Sequence, residues 1–177
     1  MPIVQATSAI ADSLLAEFEI QAPVTRRFLE RLPEDKLAWK PHQKSMTAGQ
    51  LAFHIATTPG KVVQLVKANP VQARSTFEFP QPASREEILN AFDENIAAVR
   101  SQLPEFDDAT MSETWRLMKG EKEIFAQPRH LFLRDVMLSH WYQHRGQLCV
   151  YLRLLNVPVP ASFGPSADEP PLFMQKG

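Results

Sequence analysis

Cysteine is almost absent from this sequence of 177 residues, since Cys149 is the only one. A disulfide within the chain is therefore excluded, and a single thiol is typical of a protein from a reducing compartment. No apolar run approaches the roughly 18 residues of a membrane-spanning helix. The first residues, Met-Pro-Ile-Val-Gln-Ala, have neither the basic region nor the apolar core of a signal peptide. We therefore expect a cytoplasmic protein without a membrane partner.

An excess of charge is lacking as well. Lysine and arginine together number 19, aspartate and glutamate together number 20, and the net charge is −1 at pH 7. Because nucleic-acid-binding proteins usually show a basic excess, we expect no nucleic-acid partner. The hydrophobic content of 44% and the charged content of 22% are those of an ordinary globular protein. A chain of this length predicts one domain over residues 1–177.

Apolar residues recur at intervals of three and four along most of the chain, which predicts amphipathic helices. Thr47 and Gln50 have the spacing of a capping box at a helix start, and so do Ser84 and Glu87. The triplet 58–60, Thr-Pro-Gly, interrupts the second helical pattern, where the helix either kinks or stops and restarts. The predicted helices cover about 4–31, 47–68, 84–103 and 128–155.

The segment between the third and fourth predicted helices has a different pattern. Residues 114–126 alternate loosely around Lys119-Gly120, which favours a small β-hairpin or an irregular insertion. A proline-bounded segment, 69–82, is long enough to let the third helix enter from the far end of the second. We therefore predict an all-α fold, a four-helix bundle with a small insertion before the last helix.

Two histidines, His140 and His144, lie four residues apart in the last predicted helix. Residues at this spacing are neighbours on one face of a helix. The pair also falls on the apolar stripe that should face the core, so the rings need polar partners there. The stripe consists of Leu133, Met137, His140, His144, Leu148, Tyr151 and Leu155.

A metal ion would supply a partner for both rings, and His54 on the buried face of the second helix is the candidate third ligand. His130 is about 15 Å along the helix from His140 and is out of reach. Cys149 is expected to face away, whereas His42 in the linker stays open as a fourth ligand. Three protein ligands with one open position are typical of a catalytic metal site. Taken alone, such histidines are more often solvated or satisfied in a core.

Other residues near the histidine pair have two interpretations each. Tyr151 either packs or lines a pocket, and Arg145 either binds a substrate anion or is solvated or salt-bridged. Gly146, inside a helix, suggests the close approach of another backbone. Asp168 and Glu169 either fold over the mouth of the site or belong to a disordered acidic tail.

The histidine motifs resemble those of a known family. Residues 45–55, Ser-Met-Thr-Ala-Gly-Gln-Leu-Ala-Phe-His-Ile, and residues 138–153, which begin Leu-Ser-His-Trp-Tyr-Gln-His-Arg-Gly-Gln, are similar to the two signatures of the DinB-like (DinB/YfiT) metalloprotein superfamily. The resemblance implies an up-down-down-up four-helix bundle, often a homodimer. It also implies a divalent metal site on His54, His140 and His144. Pro59-Gly60 departs from the common pattern of the first signature.

Three functions compete at this stage. The resemblance implies a metal-dependent enzyme that activates a thiol or water, since some relatives are transferases or isomerases that use bacillithiol or mycothiol. Its partners would be a small-molecule substrate or a low-molecular-weight thiol. The alternative is a non-catalytic, metal-stabilised or ligand-binding bundle, and the third is a metal-free bundle that acts by protein contacts. Nickel and zinc are the ions we expect first, with iron and manganese as alternatives.

Overall fold

The computed structural model describes residues 8–73, 75–76 and 78–175. The helices are α1 (Ala9–Glu30), α2 (Ala48–Leu65), α3 (Arg85–Gln102), α4 (Asp108–Ser112), α5 (Arg129–Phe132) and α6 (His140–Leu154). A π-helical stretch, Leu133–Ser139, joins α5 to α6, so the backbone is helical throughout 129–154. The strands are β1 (Val71–Gln72), β2 (Thr114–Lys119) and β3 (Lys122–Pro128). Short 3-10 turns occupy Glu34–Lys36, Leu103–Glu105 and Leu172–Met174.

Surface ion pairs and a close approach show how three of the long helices run. Arg26 of α1 pairs with Asp93 of α3, and Glu19 pairs with Arg100, so chain numbers rise in opposite directions and the two helices are antiparallel. Helices α2 and α3 lie side by side at Gly60, where an added Cβ would be 2.4 Å from the Asn95 side-chain oxygen. Glycine is needed there because any side chain would collide with α3.

The last long helix runs parallel to the first. Tyr142 donates a hydrogen bond to Glu17 at 2.9 Å, and Arg145 donates one to Gln21 at 2.8 Å, so chain numbers rise together in α1 and α6.

The start of α2 lies beside the segment that leads into α3, since an added Cβ on Gly49 would be 3.2 Å from Pro82. Together with the contact at Gly60, this makes α2 and α3 parallel. The predicted up-down-down-up bundle is confirmed.

Pro59 lies inside α2 and does not break it. Because proline has no backbone N–H, the carbonyl of Ile55, four residues earlier, loses its usual helical partner. The indole N–H of Trp141 donates to that carbonyl at 2.9 Å in a buried position. A side chain from α6 therefore replaces the missing helical bond, and the helix neither stops nor restarts at Thr58.

The two predicted capping boxes differ. At α2, the Thr47 hydroxyl accepts from the backbone of Gln50 at 3.1 Å and the Gln50 side chain accepts from the backbone of Thr47 at 3.0 Å, so the box is complete. At α3, Ser84 accepts from Glu87 at 3.0 Å, but the Glu87 carboxylate accepts from Ala83 instead. The second predicted box is therefore only half formed.

The predicted hairpin is confirmed. Strands β2 and β3 pair antiparallel, and Gly120 in their turn has the positive φ of 60° that favours glycine. Trp115 of β2 is buried against Phe132, which anchors the hairpin to the bundle. The sequence did not indicate the parallel pairing of β1 with β2.

Some predicted bounds are wrong. Helix α1 begins at Ala9, because Ser8 has an extended backbone and its hydroxyl caps the helix, whereas the predicted start near residue 4 lies outside the described residues. The short helix α4 and the π-helical stretch were not predicted. Within that stretch the Ser139 hydroxyl donates to the carbonyl of Arg134, five residues earlier, at 3.1 Å. Among the described residues, no helix is long and apolar enough to cross a membrane.

The bond between Trp141 and Ile55 predicts a dependence on Pro59. Trp141→Phe should lower the free energy of unfolding by about 1–3 kcal/mol, because the Ile55 carbonyl is left without a donor. In a Pro59→Ala background the alanine N–H can occupy that carbonyl, so Trp141→Phe should cost at least about 1 kcal/mol less. Urea unfolding of the four proteins gives the coupling energy.

Trp115→Phe is the matched control, since its indole donates to the carbonyl of Ala68 at 2.9 Å. Trp115→Phe should lower the free energy of unfolding by the same amount with proline or with alanine at position 59. An equal cost of Trp141→Phe in both backgrounds would contradict the assignment.

Candidate metal centre

Three histidines from two helices converge inside the bundle. His54 comes from α2, and His140 and His144 come from α6. One ring nitrogen from each lies within 4.8 Å of the others. The ring centroids are 4.3 Å apart for His140 and His144, 4.6 Å for His54 and His144, and 5.3 Å for His54 and His140. The three histidines predicted from the sequence are thus close enough to hold one metal ion.

Burial keeps two rings of the cluster, His54 and His140, neutral. The pKa of His54 falls from 6.5 to about 4, first because the ring is desolvated and then because His144, His140 and Lys61 are close to it. Burial and the nearby His144 also lower the pKa of His140. Neutral imidazole is the form that has a lone pair to offer a metal ion, so the environment favours the metal-binding form at pH 7.

Gln147 orients one of the rings. Its side-chain oxygen lies 2.7 Å from Nδ1 of His144. Because an amide oxygen accepts, Nδ1 of His144 carries the proton in this hydrogen-bond network and Nε2 carries the lone pair. That Nε2 lies 2.9 Å from Nε2 of His140, so both nitrogens are close enough to bind the same ion. A partner that fixes the ring of a ligand histidine in this way is a common feature of metal sites.

The donor chemistry fits a borderline divalent ion. In the part of the chain that the structure describes, the cluster contains only the three histidines, with no carboxylate or thiolate. Three neutral imidazoles suit zinc, nickel and related ions. Nδ1 of His140 is buried without a hydrogen-bond partner among the described residues.

The remaining histidines and the cysteine lie elsewhere. His42 is exposed, and its Nδ1 accepts from the backbone of Lys44 at 3.1 Å, so it does not join the cluster as a fourth ligand. His130 is outside the cluster, as its distance along the helix predicted, and its Nδ1 lies 3.0 Å from the carbonyl oxygen of Met111. Cys149 is half-buried and is also outside the cluster.

A cavity of about 700 Å³ opens beside the cluster. Its walls come from the start of α2, from Phe79 in the crossing segment and from α6. Tyr151 lines it, as one of the two predictions for that residue stated, and donates a hydrogen bond to the carbonyl of Met46 at 3.2 Å. The lining residues are Lys44, Ser45, Met46, Gln50, Leu51, Phe79, His144, Gln147, Val150 and Tyr151.

Arg145 does not contribute to this site. Its guanidinium is buried against α1, where it donates to the Gln21 side chain at 2.8 Å and to the Thr25 hydroxyl at 3.0 Å. The rings of Tyr142 and Phe163 flank it. Both sequence predictions, an anion contact and a solvated or salt-bridged arginine, are wrong, because one step along a helix turns a side chain by about 100°.

The prediction of a close backbone approach at Gly146 is also wrong. An added Cβ at Gly146 would meet nothing within 4 Å, so no backbone of another described segment approaches it. Other segments approach closely instead at Gly49, against the carbonyl oxygen of Leu37, and at Gly60, against Asn95.

The acidic residues of the tail are ordered and lie away from the site. Asp168 pairs with Arg153 and accepts from the backbone of Val159 at 2.8 Å. Glu169 pairs with Arg27 and Arg31 and accepts from the backbone of Ala161 at 2.8 Å. Neither sequence prediction for this pair is correct, because these bonds hold the tail against α1 and the end of α6.

Two contributors were missed from the sequence. Gln147 follows His144 by three residues, and that helical spacing was a usable signal. Phe79 packs edge-on against the His54 ring at 5.6 Å between centroids. It is 25 residues from His54 across a loop, so no local pattern connects the two.

Comparison with known proteins agrees with this arrangement. The sequence model of the DinB superfamily matches residues 17–148. The chain belongs to the DinB superfamily. It is 24% identical over 159 residues to the uncharacterized protein YrdA of Bacillus subtilis strain 168. The aligned residues cover 89% of this chain and 90% of YrdA.

Two solved structures have the same DinB fold. A DinB-like protein from Bacillus cereus ATCC 10987 superposes with a TM-score of 0.66 at 22% identity, covering 85% of this chain and 95% of that one. The DinB-like protein YjoA from Bacillus subtilis superposes with a TM-score of 0.61 at 18% identity, covering 84% and 96%. At these identities the likeness supports the fold alone.

The lowered pKa of His54 predicts a pH dependence of the metal-free protein. As the pH falls below 6.5, the unfolded chain protonates this ring, whereas the folded chain resists protonation until about pH 4. The free energy of unfolding should therefore be highest above pH 6.5 and decrease towards pH 4. His54→Gln should flatten this decrease in urea unfolding curves. The exposed His42→Gln should leave it unchanged, and equal curves for both variants would contradict the prediction.

Gln147 should control how well the rings hold an ion. Gln147→Leu removes the acceptor for His144 and should weaken Zn²⁺ binding about tenfold or more, whereas Gln147→Glu keeps an acceptor and should retain it. Competition with a chelating dye measures the affinity, and ¹⁵N NMR of the metal-free protein should show Nδ1–H on His144 only while the acceptor is present. Gln143→Leu, on the exposed side of α6, is the control. Unchanged affinity in Gln147→Leu would refute the role.

Proposed function

We propose that this protein binds a divalent metal ion through His54, His140 and His144 and is a metal-dependent enzyme that activates a small thiol or a water molecule. The observation that carries the proposal is the convergence of three ring nitrogens within 4.8 Å at the edge of a cavity of about 700 Å³. A set of three ligands leaves a coordination position for a substrate, which is typical of catalytic centres.

An ion bound there would lower the pKa of a coordinated thiol or water, so that the nucleophilic form exists near neutral pH. The protein residues supply the rest. Gln147 holds His144 with its lone pair towards the centre, and burial keeps His54 neutral. Leu51 and Phe79 contribute apolar surface to the cavity wall.

A non-catalytic bundle that uses the ion only to join α2 and α6 is the second candidate. The two helices are already joined by the hydrogen bond from Trp141 to Ile55 and by a buried core that includes Leu51 and Leu148. This connection favours a site built for chemistry over a site built for stability. Removal of the ion is therefore expected to cause only a small loss of thermal stability.

The other expectations from the sequence belong to the same proposal. Nickel or zinc is the proposed ion, with iron and manganese as alternatives. The proposed assembly is a cytoplasmic homodimer with a small-molecule or thiol partner and without nucleic-acid or membrane partners.

Metal analysis tests the centre. Wild-type protein should hold about one divalent ion per chain, and His54→Ala should lose most of it because one of three ligands is gone. His42→Ala, outside the cluster, is the matched control. A wild-type protein without metal, or an equal loss of metal in both variants, would contradict this centre and favour a metal-free bundle that acts by protein contacts.

Activity tests follow on the loaded protein. We expect a thiol-transfer or hydrolysis reaction that requires the ion and disappears in His54→Ala. A fully loaded protein without either reaction, and with a large loss of thermal stability on chelation, would instead support the non-catalytic bundle.

A further inference from the structure

Most of the polar groups in the cavity wall already have hydrogen-bond partners. Gln50 accepts from the backbone of Thr47 and donates to the carbonyl of Phe79 at 2.8 Å. The Tyr151 hydroxyl donates to the carbonyl of Met46, and the Gln147 oxygen is held by His144. These groups form the wall itself and are not free to select a ligand.

The polar groups that remain are mainly donors. Within the described part of the chain, no hydrogen bond occupies the ammonium group of Lys44, the hydroxyl of Ser45 or the amide nitrogen of Gln147. An ammonium and an amide nitrogen can only donate, whereas a hydroxyl can do both. A ligand that matches this wall therefore needs hydrogen-bond acceptors.

The charge of the cavity has one sign. Lys44 is the charged side chain among its described lining residues, and no aspartate or glutamate joins it. Three neutral imidazoles would also leave the charge of a bound divalent ion uncompensated. The electrostatic complement of this site is an anion.

The rest of the wall is apolar. Met46, Leu51, Phe79 and Val150 contribute hydrocarbon surface, and the volume of about 700 Å³ is that of a typical small-molecule site. An inorganic anion would leave this surface in contact with water, whereas an organic anion would cover it.

We propose that the cavity binds a small organic anion, with its negative group between Lys44 and the histidine cluster and its apolar body against Met46, Leu51 and Phe79. This inference rests on the proposed metal centre and specifies its substrate class: an acidic molecule with an apolar body, and not an amine.

Ligands that differ in charge or in their apolar body test the proposal. The probes are 3-phenylpropanoate, the neutral 3-phenylpropanamide, 3-phenylpropylamine and acetate, each titrated calorimetrically into the Zn²⁺-loaded full chain. We expect 3-phenylpropanoate to bind at least about tenfold more tightly than the amide, and the amine not to bind, because the site is cationic. Acetate, which lacks the apolar body, should bind at least about tenfold more weakly.

Charge substitutions in the wall give the second arm. Val150 is 57% exposed and lines the cavity, so it tolerates either Val150→Lys or Val150→Asp. We expect the lysine to tighten 3-phenylpropanoate binding about threefold and the aspartate to weaken it about tenfold. Leu154, one helical turn further and 55% exposed, is outside the lining, and the same two substitutions there are the control. Lys44→Ala should weaken binding about threefold, with Lys40→Ala as its control.

Each failure has its own signature. Equal binding of 3-phenylpropanoate and 3-phenylpropylamine, or equal effects at Val150 and Leu154, would overturn the anion proposal while the metal content stays at one ion per chain. Binding of acetate as tight as that of 3-phenylpropanoate would overturn the assignment of the apolar wall. A wild-type chain that holds no Zn²⁺ would refute the metal centre, and with it the anion proposal.

Discussion

The hydrogen bond from the indole of Trp141 to the carbonyl of Ile55 is the contact on which the site depends. Pro59 removes the helical donor of that carbonyl, and a buried carbonyl without a donor is costly. Trp141 follows His140 in α6, and Ile55 follows His54 in α2, so this bond joins the two helices directly beside the rings. Pro59 would ordinarily weaken a helix, but here the carbonyl that it leaves without a donor joins α2 to α6.

The site combines strong burial with uncharged donors. Burial lowers the pKa values of His54 and His140, so these two rings resist protonation. Gln147, which orients His144, is neutral as well. The next residue after His144 shows the opposite arrangement. Arg145 carries a buried positive charge, and its guanidinium donates hydrogen bonds to neutral oxygens from α1. Neighbouring positions of one helix thus serve separate purposes, because successive side chains point about 100° apart.

The start of α2 serves both the fold and the site. Thr47 and Gln50 close the capping box, and Gln50 also donates to the carbonyl of Phe79 and so places that ring against His54. The cavity is therefore bounded by the same residues that begin the helix. A change in the cap would move the wall of the site as well as the helix terminus.

Local patterns in the sequence determined the long helices, the cap of α2, the hairpin turn at Gly120 and the face shared by His140 and His144, because each depends on residues a few positions apart. These local patterns, together with the resemblance of two sequence motifs to those of the DinB superfamily, were enough to select the three histidines. The tertiary structure alone decided the donor that satisfies Ile55, the burial of Arg145 against α1, the empty space beside Gly146 and the position of Phe79. Each of these depends on which distant segment packs nearby, and periodicity along one helix contains no information about its neighbours.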